Sequence, residues 1–472
     1  MLWVLFAVQL IAVLSVLFLE NKKPGEAALW VAVISLLPGI GLVLYLCFGS
    51  TVGITMTAWL RGRRITASYR ESLERQMKAL AGWAEETQQE GLEKEIALFH
   101  LRDSSAAITW HNHVDMLRGG QEKYDHLFAD LDAARETIHI AYYAIHNDSV
   151  GKRLAEVLAI KAAQGVKVKV LYDRIGSLMT PRRMFRALID KGGLVRSIKP
   201  NATQFRNHRK IVVIDGTIGY VGGMNIGEKY LGRFKHKSPW RDTHLRVMGE
   251  SVQLLQYYFL YDWVYAHRVG HAGITENEIR ELFAKQPQAE EELACQVIAS
   301  GADTFQASMK RSYLRLITAA KESIHIQSPY FVPSDSIQEA LRVALSSGIG
   351  VTLMLPAQKA SFFLQPVTHF YISQLIPHGL KVFLYDGYLH AKTIQIDGVI
   401  TGIGSVNLDI RSLEVDDEVQ MLFYGQGFGE RHQAVLAEDM LRCKELDYEA
   451  FMRRGTWVRV KERLFQLFAP LM

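Results

Sequence analysis

Two long runs of apolar residues open the chain and predict a pair of helices. The first, from Leu2 to Leu19, holds no charged residue and is interrupted only by Gln9 and Ser15. The second runs from Ala27 to Phe48 and is equally free of charge. At 1.5 Å of rise per residue the runs would reach about 27 and 33 Å, close to the roughly 30 Å hydrocarbon core of a bilayer. We therefore predict a transmembrane hairpin within residues 1–50.

The flanking segments refine this prediction. Glu20 to Glu26 is typical of a tight turn, and Pro38-Gly39 predicts a kink in the second helix. A cleaved signal peptide is the alternative for the first run, but no basic region precedes it and no small-residue cleavage site follows Leu19. Four arginines follow the second run, against two lysines in the turn: Arg61, Arg63, Arg64 and Arg70 against Lys22 and Lys23. This bias predicts that the rest of the chain faces the cytoplasm.

From about residue 85 onward, β-branched runs alternate with helical patterns. Residues 166–172 and 211–214 are typical of buried strands. Just before the first of these runs, Val150 to Gln164 predicts a helix that Gly165 would end. This alternation is typical of an α/β fold.

The α/β pattern occurs twice. Residues 133–140 resemble residues 319–326, at an offset of 186, and residues 208–216 resemble residues 390–398, at an offset of 182. We therefore predict two tandem α/β units with mixed sheets and flanking helices, which meet at a pseudo-two-fold axis. The predicted units are residues 85–286 and 293–472, with a basic linker at 51–84 and a polar, acidic linker between the units.

The second matched pair carries the candidate chemistry as an H-x-K-x4-D motif. Its copies are His208, Lys210 and Asp215, and His390, Lys392 and Asp397. Of the 16 histidines, these two alone have lysine two residues later. A small-small-x-Asn pattern follows each copy at the same distance: Gly222, Gly223 and Asn225, then Gly404, Ser405 and Asn407. Agreement between two copies makes coincidence a poor explanation.

The spacing of the motif predicts a phosphodiester site. In an extended strand, residues i and i+2 point to one face, so each histidine and its lysine lie on the same side. Two units meeting at a pseudo-two-fold axis would gather two imidazoles, two ammonium groups and two amides, with the small residues admitting an anion close to the backbone. One neutral histidine could attack phosphorus, and one protonated histidine could protonate the leaving alkoxide. Asp215 and Asp397 complete the candidate catalytic sets, although we expect them to hydrogen-bond the turn after each strand.

Composition narrows the alternatives. The chain is 49% apolar and 22% charged, with a net charge of +5, which excludes a disordered chain and gives no sign of the strongly basic face of a nuclease. The three cysteines are Cys47, Cys295 and Cys443, and neither a disulfide framework nor a four-ligand zinc site follows from them. A metal in the histidine site is disfavoured because the paired lysines would repel it.

The duplicated motif and the apolar hairpin together resemble the phospholipase D superfamily and, more narrowly, the bacterial cardiolipin synthases. The resemblance implies a phosphatidyl-histidine intermediate with no metal or organic cofactor. It further implies that Asp242 and Glu418 support the histidines, with Asp417 as a rival to Glu418. By the same analogy, His208 is the expected nucleophile and His390 the expected general acid.

The expected reaction joins two phosphatidylglycerol molecules into cardiolipin and glycerol at a bacterial inner membrane. A phospholipase D-type hydrolase, another phosphatidyltransferase, a nuclease and a non-enzymatic lipid binder are the alternatives. We expect anionic phospholipids and the membrane as partners and no nucleic acid, while self-association stays open. Four basic residues after the first motif form either a solvated loop or a headgroup site: Lys229, Arg233, Lys235 and Lys237. We expect residues 361–364 and 457–472 to pack in the core, with interfacial docking as the alternative.

Overall fold

A computed structural model describes most of the chain. The described residues are 2–20, 22, 24–50, 91–198, 206–232, 240–266, 274–285, 289–301, 307–358, 362–467 and 469. The basic residues predicted to orient the hairpin, at positions 61 to 70, lie outside this set, as do Arg233, Lys235 and Lys237.

The N-terminal segment forms the predicted pair of helical stretches. Leu2–Leu14 continues into a wider helical turn at Ser15–Leu19, and the second stretch begins at Pro24. The second stretch breaks at the predicted Pro38-Gly39 position, where Gly39 has a φ of +79°, but the chain reverses there instead of kinking, and Lys22 Nζ donates to the Gly49 carbonyl at 2.7 Å. The break separates Pro24–Leu36 from Ile40–Leu44 and the wider turn Tyr45–Gly49.

The two stretches pack against each other through a small apolar core. Val16, Ile34 and Tyr45 are buried between them. The Tyr45 hydroxyl donates a 2.7 Å hydrogen bond to Glu20 Oε1, which closes the turn end of the hairpin. Among the described residues, no helix combines the length and apolar character that a membrane crossing requires. The structure therefore shows one helical stretch followed by a second run that folds back on itself, so the two straight spans that the sequence predicts are not observed, and a crossing of the bilayer remains a proposal.

The first half of the molecule is built on a seven-stranded mixed sheet. Its strands in spatial order are Asn112–Leu117, His244–Gly249, Ile218–Gly222, Lys210–Ile214, Thr137–Tyr142, Lys167–Asp173 and Leu194–Ile198. Thr137–Tyr142 pairs antiparallel with the motif strand Lys210–Ile214 and parallel with Lys167–Asp173. The motif strand is buried on both faces, which explains its continuous apolar run.

The second half repeats this sheet with one extra strand at each edge. Its strands in spatial order are Ile108–Thr109, Ala294–Ser300, Glu418–Tyr424, Ile400–Gly404, Thr393–Ile396, Ser323–Gln327, Gly350–Pro356, Lys381–Tyr385 and Cys443–Glu445. The motif strand Thr393–Ile396 lies beside Ser323–Gln327 as its counterpart lies beside Thr137–Tyr142. The predicted duplication of a mixed α/β unit is confirmed.

Helices cover the two sheets. In the first half they are Gly120–Ala133, Ser149–Ala163, Arg186–Asp190, Ser251–Tyr265 and Glu276–Ala284. In the second half they are Ser308–Ala319, Asp335–Ser346, Leu364–Leu375, Ile410–Glu414, Gln426–Met440, Tyr448–Met452 and Thr456–Gln466. Short 3₁₀ turns lie at Arg182–Phe185, Glu228–Leu231 and Ile376–His378, and two-residue strands at Trp240–Arg241, Phe331–Val332, Tyr388–Leu389 and Leu408–Asp409.

The two halves share one apolar core. Val213 and Leu245 of the first sheet are buried in the same cluster as Ile403, Val419 and Met421 of the second. This shared core presses the two sheets together, so the motif strands lie on either side of one cleft.

The segment that opens the predicted first unit packs on the second half. The helix Leu92–Ser104 buries Ile96 against the core of the second half, and His100 Nε2 lies 2.8 Å from Ser312 Oγ. Ile108–Thr109 then adds an edge strand to the second sheet. Residues 92–109 therefore tie the second half to the start of the first.

The prediction that residues 361–364 and 457–472 pack in the core is confirmed for Leu364 and Phe465 and wrong for Phe362, Phe363 and Trp457. Phe362, Phe363 and Trp457 are exposed. Only the opposite face of Thr456–Gln466 packs on the protein, where Glu462 is buried and pairs with Arg454. The spacing of apolar residues along a helix is the same whether its apolar face packs in a core or docks on a membrane interface. Sequence alone therefore did not distinguish core packing from interfacial docking.

Candidate active site

His208 is oriented by a carboxylate of the other half. Its Nδ1 lies 2.9 Å from Glu418 Oε1, and Glu418 is fully buried at the start of its strand. The backbone N–H of His208 donates to the carbonyl of Asp417 at 2.8 Å. The Asp417–Glu418 pair thus fixes both the main chain and the ring of His208, and Glu418 rather than Asp417 contacts the imidazole.

His390 is oriented in the same crosswise manner. Its Nδ1 lies 2.7 Å from Asp242 Oδ2 of the first half, and its backbone N–H donates to the carbonyl of Arg241 at 2.6 Å. The short strands Trp240–Arg241 and Tyr388–Leu389 pair in parallel and set this register. A carboxylate at Nδ1 fixes the ring and its tautomer and supports an imidazolium on it.

The two lysines are buried beside their histidines. Lys210 Nζ donates to the carbonyl of His208, and Lys392 Nζ donates to that of His390. Burial lowers the pKa of Lys210 to about 7 and the pKa of Lys392 to about 8, although Asp242 and Glu418 oppose the shift. Each ammonium interacts electrostatically with the carboxylates of both halves, so the predicted gathering of two imidazoles and two lysines is observed.

The two orienting carboxylates differ in charge state. Burial raises the pKa of Glu418 to about 7 against the opposing effect of Lys210. Burial also acts to raise the pKa of Asp242, but Lys392 and His390 outweigh it and the pKa lies below its ordinary value. Asp242 is therefore the more firmly ionised partner, and His390 is the imidazole beside the stronger anion.

Burial also favours neutral imidazoles in the cleft. Burial together with Lys210 holds the pKa of His208 well below its usual value. Burial together with Lys392 lowers the pKa of His390 to about 3. The side chains nevertheless keep 14% and 11% of their surface exposed, so both rings border the cleft.

The motif aspartates lie at the far end of the motif strands. The Asp215 carboxylate accepts backbone N–H groups of residues 135, 136 and 137 at 2.7 to 2.9 Å. Asp397 does the same for residues 321, 322 and 323 at 2.8 to 2.9 Å. Both have φ near +50°, a left-handed conformation that aspartate tolerates in turns. Each aspartate therefore ties the turn after its motif strand to the connection from a helix into the neighbouring strand, at the end of the motif strand away from the histidines.

The small residues after each motif make room for a carboxylate side chain of the protein rather than for the phosphate of a substrate. A side chain at Gly223 would collide with the carboxylate of Asp242. At the equivalent position, Ser405 donates its hydroxyl to Glu418 Oε2 and accepts the N–H of Val419 at 3.0 Å. The interpretation that these positions face the phosphate is corrected accordingly.

The two motif asparagines differ from the predicted pair of free amides. Asn225 Oδ1 accepts the N–H of Ala144 at 3.0 Å, and its Nδ2 donates to the Tyr230 hydroxyl at 2.9 Å. Asn225 therefore braces a loop. Asn407 is nearly buried, and its Oδ1 has no hydrogen-bond partner among the described residues.

Aromatic rings form the walls beside the histidines. Tyr143 packs edge-on against His208 with 4.9 Å between ring centroids. Trp240 lies 5.0 Å from His390, and Tyr388 lies 5.9 Å from it. Lys229 Nζ lies 5.5 Å from the Trp240 ring, which brings one of the four predicted basic residues to this wall.

Two buried arginines lock the halves together and were missed by sequence reasoning. Arg209 pairs with Asp262 at 2.5 Å and donates to the Ser300 carbonyl of the second half at 2.7 Å. Arg241 pairs with Asp439 of the second half at 2.8 Å. Each is adjacent to a site residue, but adjacency alone gave no signal that its partner comes from the other half.

Comparison with known proteins agrees with this geometry. Residues 127–263 and 313–440 match the family described as cardiolipin synthase, PLD-like domain, and residues 7–50 match the phospholipase D-nuclease N-terminal family. The cardiolipin synthase of Listeria innocua is 34% identical over 96% of this chain and 95% of its own length. The major cardiolipin synthase of Bacillus subtilis is 32% identical over 99% of this chain and 98% of its own length.

One solved structure shares the overall fold. The phosphatidylserine synthase of Haemophilus influenzae aligns with a TM-score of 0.59 at 16% identity, over 81% of this chain and 98% of its own. At this identity the likeness concerns the fold alone.

Proposed function

The chain belongs to the cardiolipin synthase family of phospholipase D-like proteins, and we propose that it joins two phosphatidylglycerol molecules into cardiolipin and glycerol. The observation that carries the proposal is the pair of crosswise dyads, His208 with Glu418 and His390 with Asp242, around two buried lysines. Two imidazoles in one cleft allow one to bond to phosphorus while the other moves the proton.

In the first step, Nε2 of His208 attacks the phosphorus of the donor lipid. The bond from phosphorus to the headgroup glycerol oxygen breaks, and His390 protonates that oxygen so that glycerol leaves. In the second step, His390 accepts the proton of an acceptor hydroxyl, whose oxygen attacks phosphorus and releases His208. Both steps conserve charge and protons, and the enzyme returns to its starting state.

The difference between the two carboxylates supports this assignment of roles. Asp242 is the more firmly ionised, so it stabilises the imidazolium that an acid at His390 requires. A phosphodiester entering between Lys210 and Lys392 would add negative charge beside His390 and favour its protonated form. The same lysines would neutralise charge on the non-bridging oxygens as it develops.

We propose that the acceptor is a lipid because the catalytic body is held at a membrane. The apolar hairpin would place it at the inner membrane as a multi-pass anchor, with the body on the cytoplasmic side. Donor and acceptor then meet the cleft at high effective concentration, while the aromatic walls limit the access of water to the intermediate.

A trapping experiment tests the reaction and the roles together. The full chain is mixed with a p-nitrophenyl phosphatidyl ester that carries radiolabel in its phosphatidyl group and whose leaving group needs no proton, then quenched and separated from lipid. We expect His390→Ala to retain label on the protein and His208→Ala to retain none, with neither variant turning over. Label on His208→Ala alone would reverse the roles.

The product separates transfer from hydrolysis. Expression in a host that lacks cardiolipin should restore that lipid in the wild type but not in His208→Ala. A wild-type protein that yields only phosphatidic acid would contradict the proposed transfer to lipid.

A further inference from the structure

Two equivalent loops, one in each half, carry exposed pairs of large apolar residues. The loop after the strand Lys167–Asp173 exposes Leu178 and Met179, at 73% and 84%. The loop after the counterpart strand Gly350–Pro356 leads to Phe362 and Phe363, at 65% and 55%. Such exposure is costly in water, and its recurrence at equivalent places indicates a shared use.

Strand register puts both loops at the edge of the sheet that carries the histidines. In the first sheet, Tyr142 pairs with both Lys210 and Tyr172, so the strand that ends at Asp173 ends beside the start of the motif strand. In the second sheet, Gln327 pairs with both Thr393 and Met354. The loops therefore leave the two sheets on the cleft side.

Two further elements extend this apolar edge in the second half. The ring centroid of Phe465, on the helix Thr456–Gln466, lies 5.6 Å from that of Phe362 and 5.1 Å from that of Phe363, so that helix borders the second loop. On its outer face Trp457 is 85% exposed. Leu441 is also exposed. It lies two residues before Cys443, which pairs with Tyr385 at the cleft end of the strand Lys381–Tyr385, so Leu441 lies near the same edge.

The charges beside the first loop and on the helix Thr456–Gln466 are mostly positive. Residues 174–190 contain four exposed arginines, Arg174, Arg182, Arg183 and Arg186, and one acid, Asp190, which lies 3.9 Å from Arg186. On the helix Thr456–Gln466 the exposed charges are Arg459 and Arg463, and Lys461 lies over Phe362 at 3.9 Å. The acid of that helix, Glu462, is turned inward to Arg454. Apolar side chains among cations fit an anionic lipid surface.

We propose that these residues form a lipid-contacting rim that seats the mouth of the cleft on an anionic bilayer, separately from the N-terminal hairpin. The rim is defined as Leu178, Met179, Phe362, Phe363, Leu441 and Trp457. A lipid headgroup would then reach the histidines without leaving the interface. The rim concerns where the catalytic body sits, so it does not depend on whether the acceptor is lipid or water.

Two full-length variants with matched controls test the rim. The variants are Leu178→Ser with Met179→Ser, and Phe362→Ser with Phe363→Ser. The controls, Ile160→Ser and Val343→Ser, remove exposed apolar side chains from crossover helices near their ends at the opposite edge of the sheets. Activity is measured on phosphatidylglycerol vesicles and on monomeric short-chain phosphatidylglycerol.

We expect each rim variant to lose roughly tenfold or more in kcat/KM on vesicles and little on the monomeric substrate. The controls should match the wild type on both. Equal losses on both substrates would overturn the proposal, since they would indicate damage to the cleft, and so would unchanged activity on vesicles. A wild-type protein that is inactive on both substrates would instead count against the proposed function.

A depth measurement distinguishes lipid from a second copy of the chain as the occupant. A spin label at Trp457→Cys is compared with one at Val343→Cys, in full-length protein with Cys47 and Cys443 replaced by alanine. On vesicles, the label at 457 should gain accessibility to oxygen and lose accessibility to a polar nickel complex, whereas the label at 343 should not. Protection of position 457 without lipid would overturn the proposal in favour of self-association.

Discussion

At the scale of single residues, each orienting carboxylate serves a histidine about 150 to 210 positions away. Asp242→Asn should therefore impair His390, the proposed acid, and slow release of glycerol by about three to four orders of magnitude. A p-nitrophenyl phosphatidyl ester should escape this loss in its first turnover, because nitrophenolate leaves without a proton. Stopped-flow measurement of the nitrophenolate burst reads this step directly.

Glu418→Gln is the matched control for that prediction. It disturbs His208, the proposed nucleophile, so both the glycerol and the nitrophenolate leaving groups should be affected. A normal burst in Glu418→Gln combined with a lost burst in Asp242→Asn would exchange the two roles.

The lysines predict an alkaline loss of activity. Because burial brings the pKa of Lys210 to about 7, its ammonium is lost as the pH rises above that value, and the stabilisation of the phosphate falls with it. We expect kcat/KM on short-chain phosphatidylglycerol to decline between about pH 7 and 9. Lys210→Ala should cost about two to three orders of magnitude at pH 7 and leave a decline that begins at higher pH, because the pKa of Lys392 is about 8. A wild-type profile that stays level to pH 9 would show that Lys210 keeps its proton.

At the scale of elements, the connection that leads into the strand beside each motif strand is held by the motif aspartate. Asp215→Asn retains the shape but loses the charge that accepts three N–H groups, so the free energy of unfolding should fall by about 2 kcal/mol. The kcat of the folded enzyme should change little. Asp397→Asn in the other copy should behave alike. A large loss of kcat with unchanged thermal stability would instead give the aspartates a chemical part.

The motif strands are the elements that the sequence predicts best. The first motif strand has a continuous apolar run because both of its faces are buried, and the second is equally buried although Thr393 and Gln395 interrupt its apolar run. Two copies at a fixed offset exclude chance. The role of Gly223 and Ser405 was not predictable, because it depends on the carboxylates of Asp242 and Glu418, which lie later in the chain and meet these positions only in the folded structure. Nor was the outward direction of Trp457, since an amphipathic period does not say what its apolar face meets.

At the scale of the whole molecule, sequence could predict two units but not how they share parts. Glu418 and His208 meet because the sheets press together through a common core, and no local pattern records such a meeting. The same holds for the helix Leu92–Ser104, which precedes the first sheet yet packs on the second half.

That packing sets where the N-terminal segment can be removed. A shortened chain beginning at Gly91 keeps Leu92–Ser104 and should retain activity on monomeric short-chain phosphatidylglycerol. On vesicles it should form less cardiolipin, with a larger share of phosphatidic acid, because the acceptor is no longer concentrated at the cleft. Chromatography of the products gives the ratio. An unchanged ratio and rate would show that acceptor choice resides in the catalytic body.

The crosswise dyads also bear on how a duplicated chain can diverge. In a symmetric pair of identical subunits, any substitution would alter both histidines at once, and both would keep the same chemistry. Within one polypeptide, Gly223 with Asp242 and Ser405 with Glu418 are two different solutions at equivalent positions. Each copy carries the part that tunes its sibling's histidine. Fusion therefore allows one histidine to specialise as acid and the other as nucleophile. It also prevents either half from being lost or exchanged alone, because each half supplies a carboxylate that the other half needs.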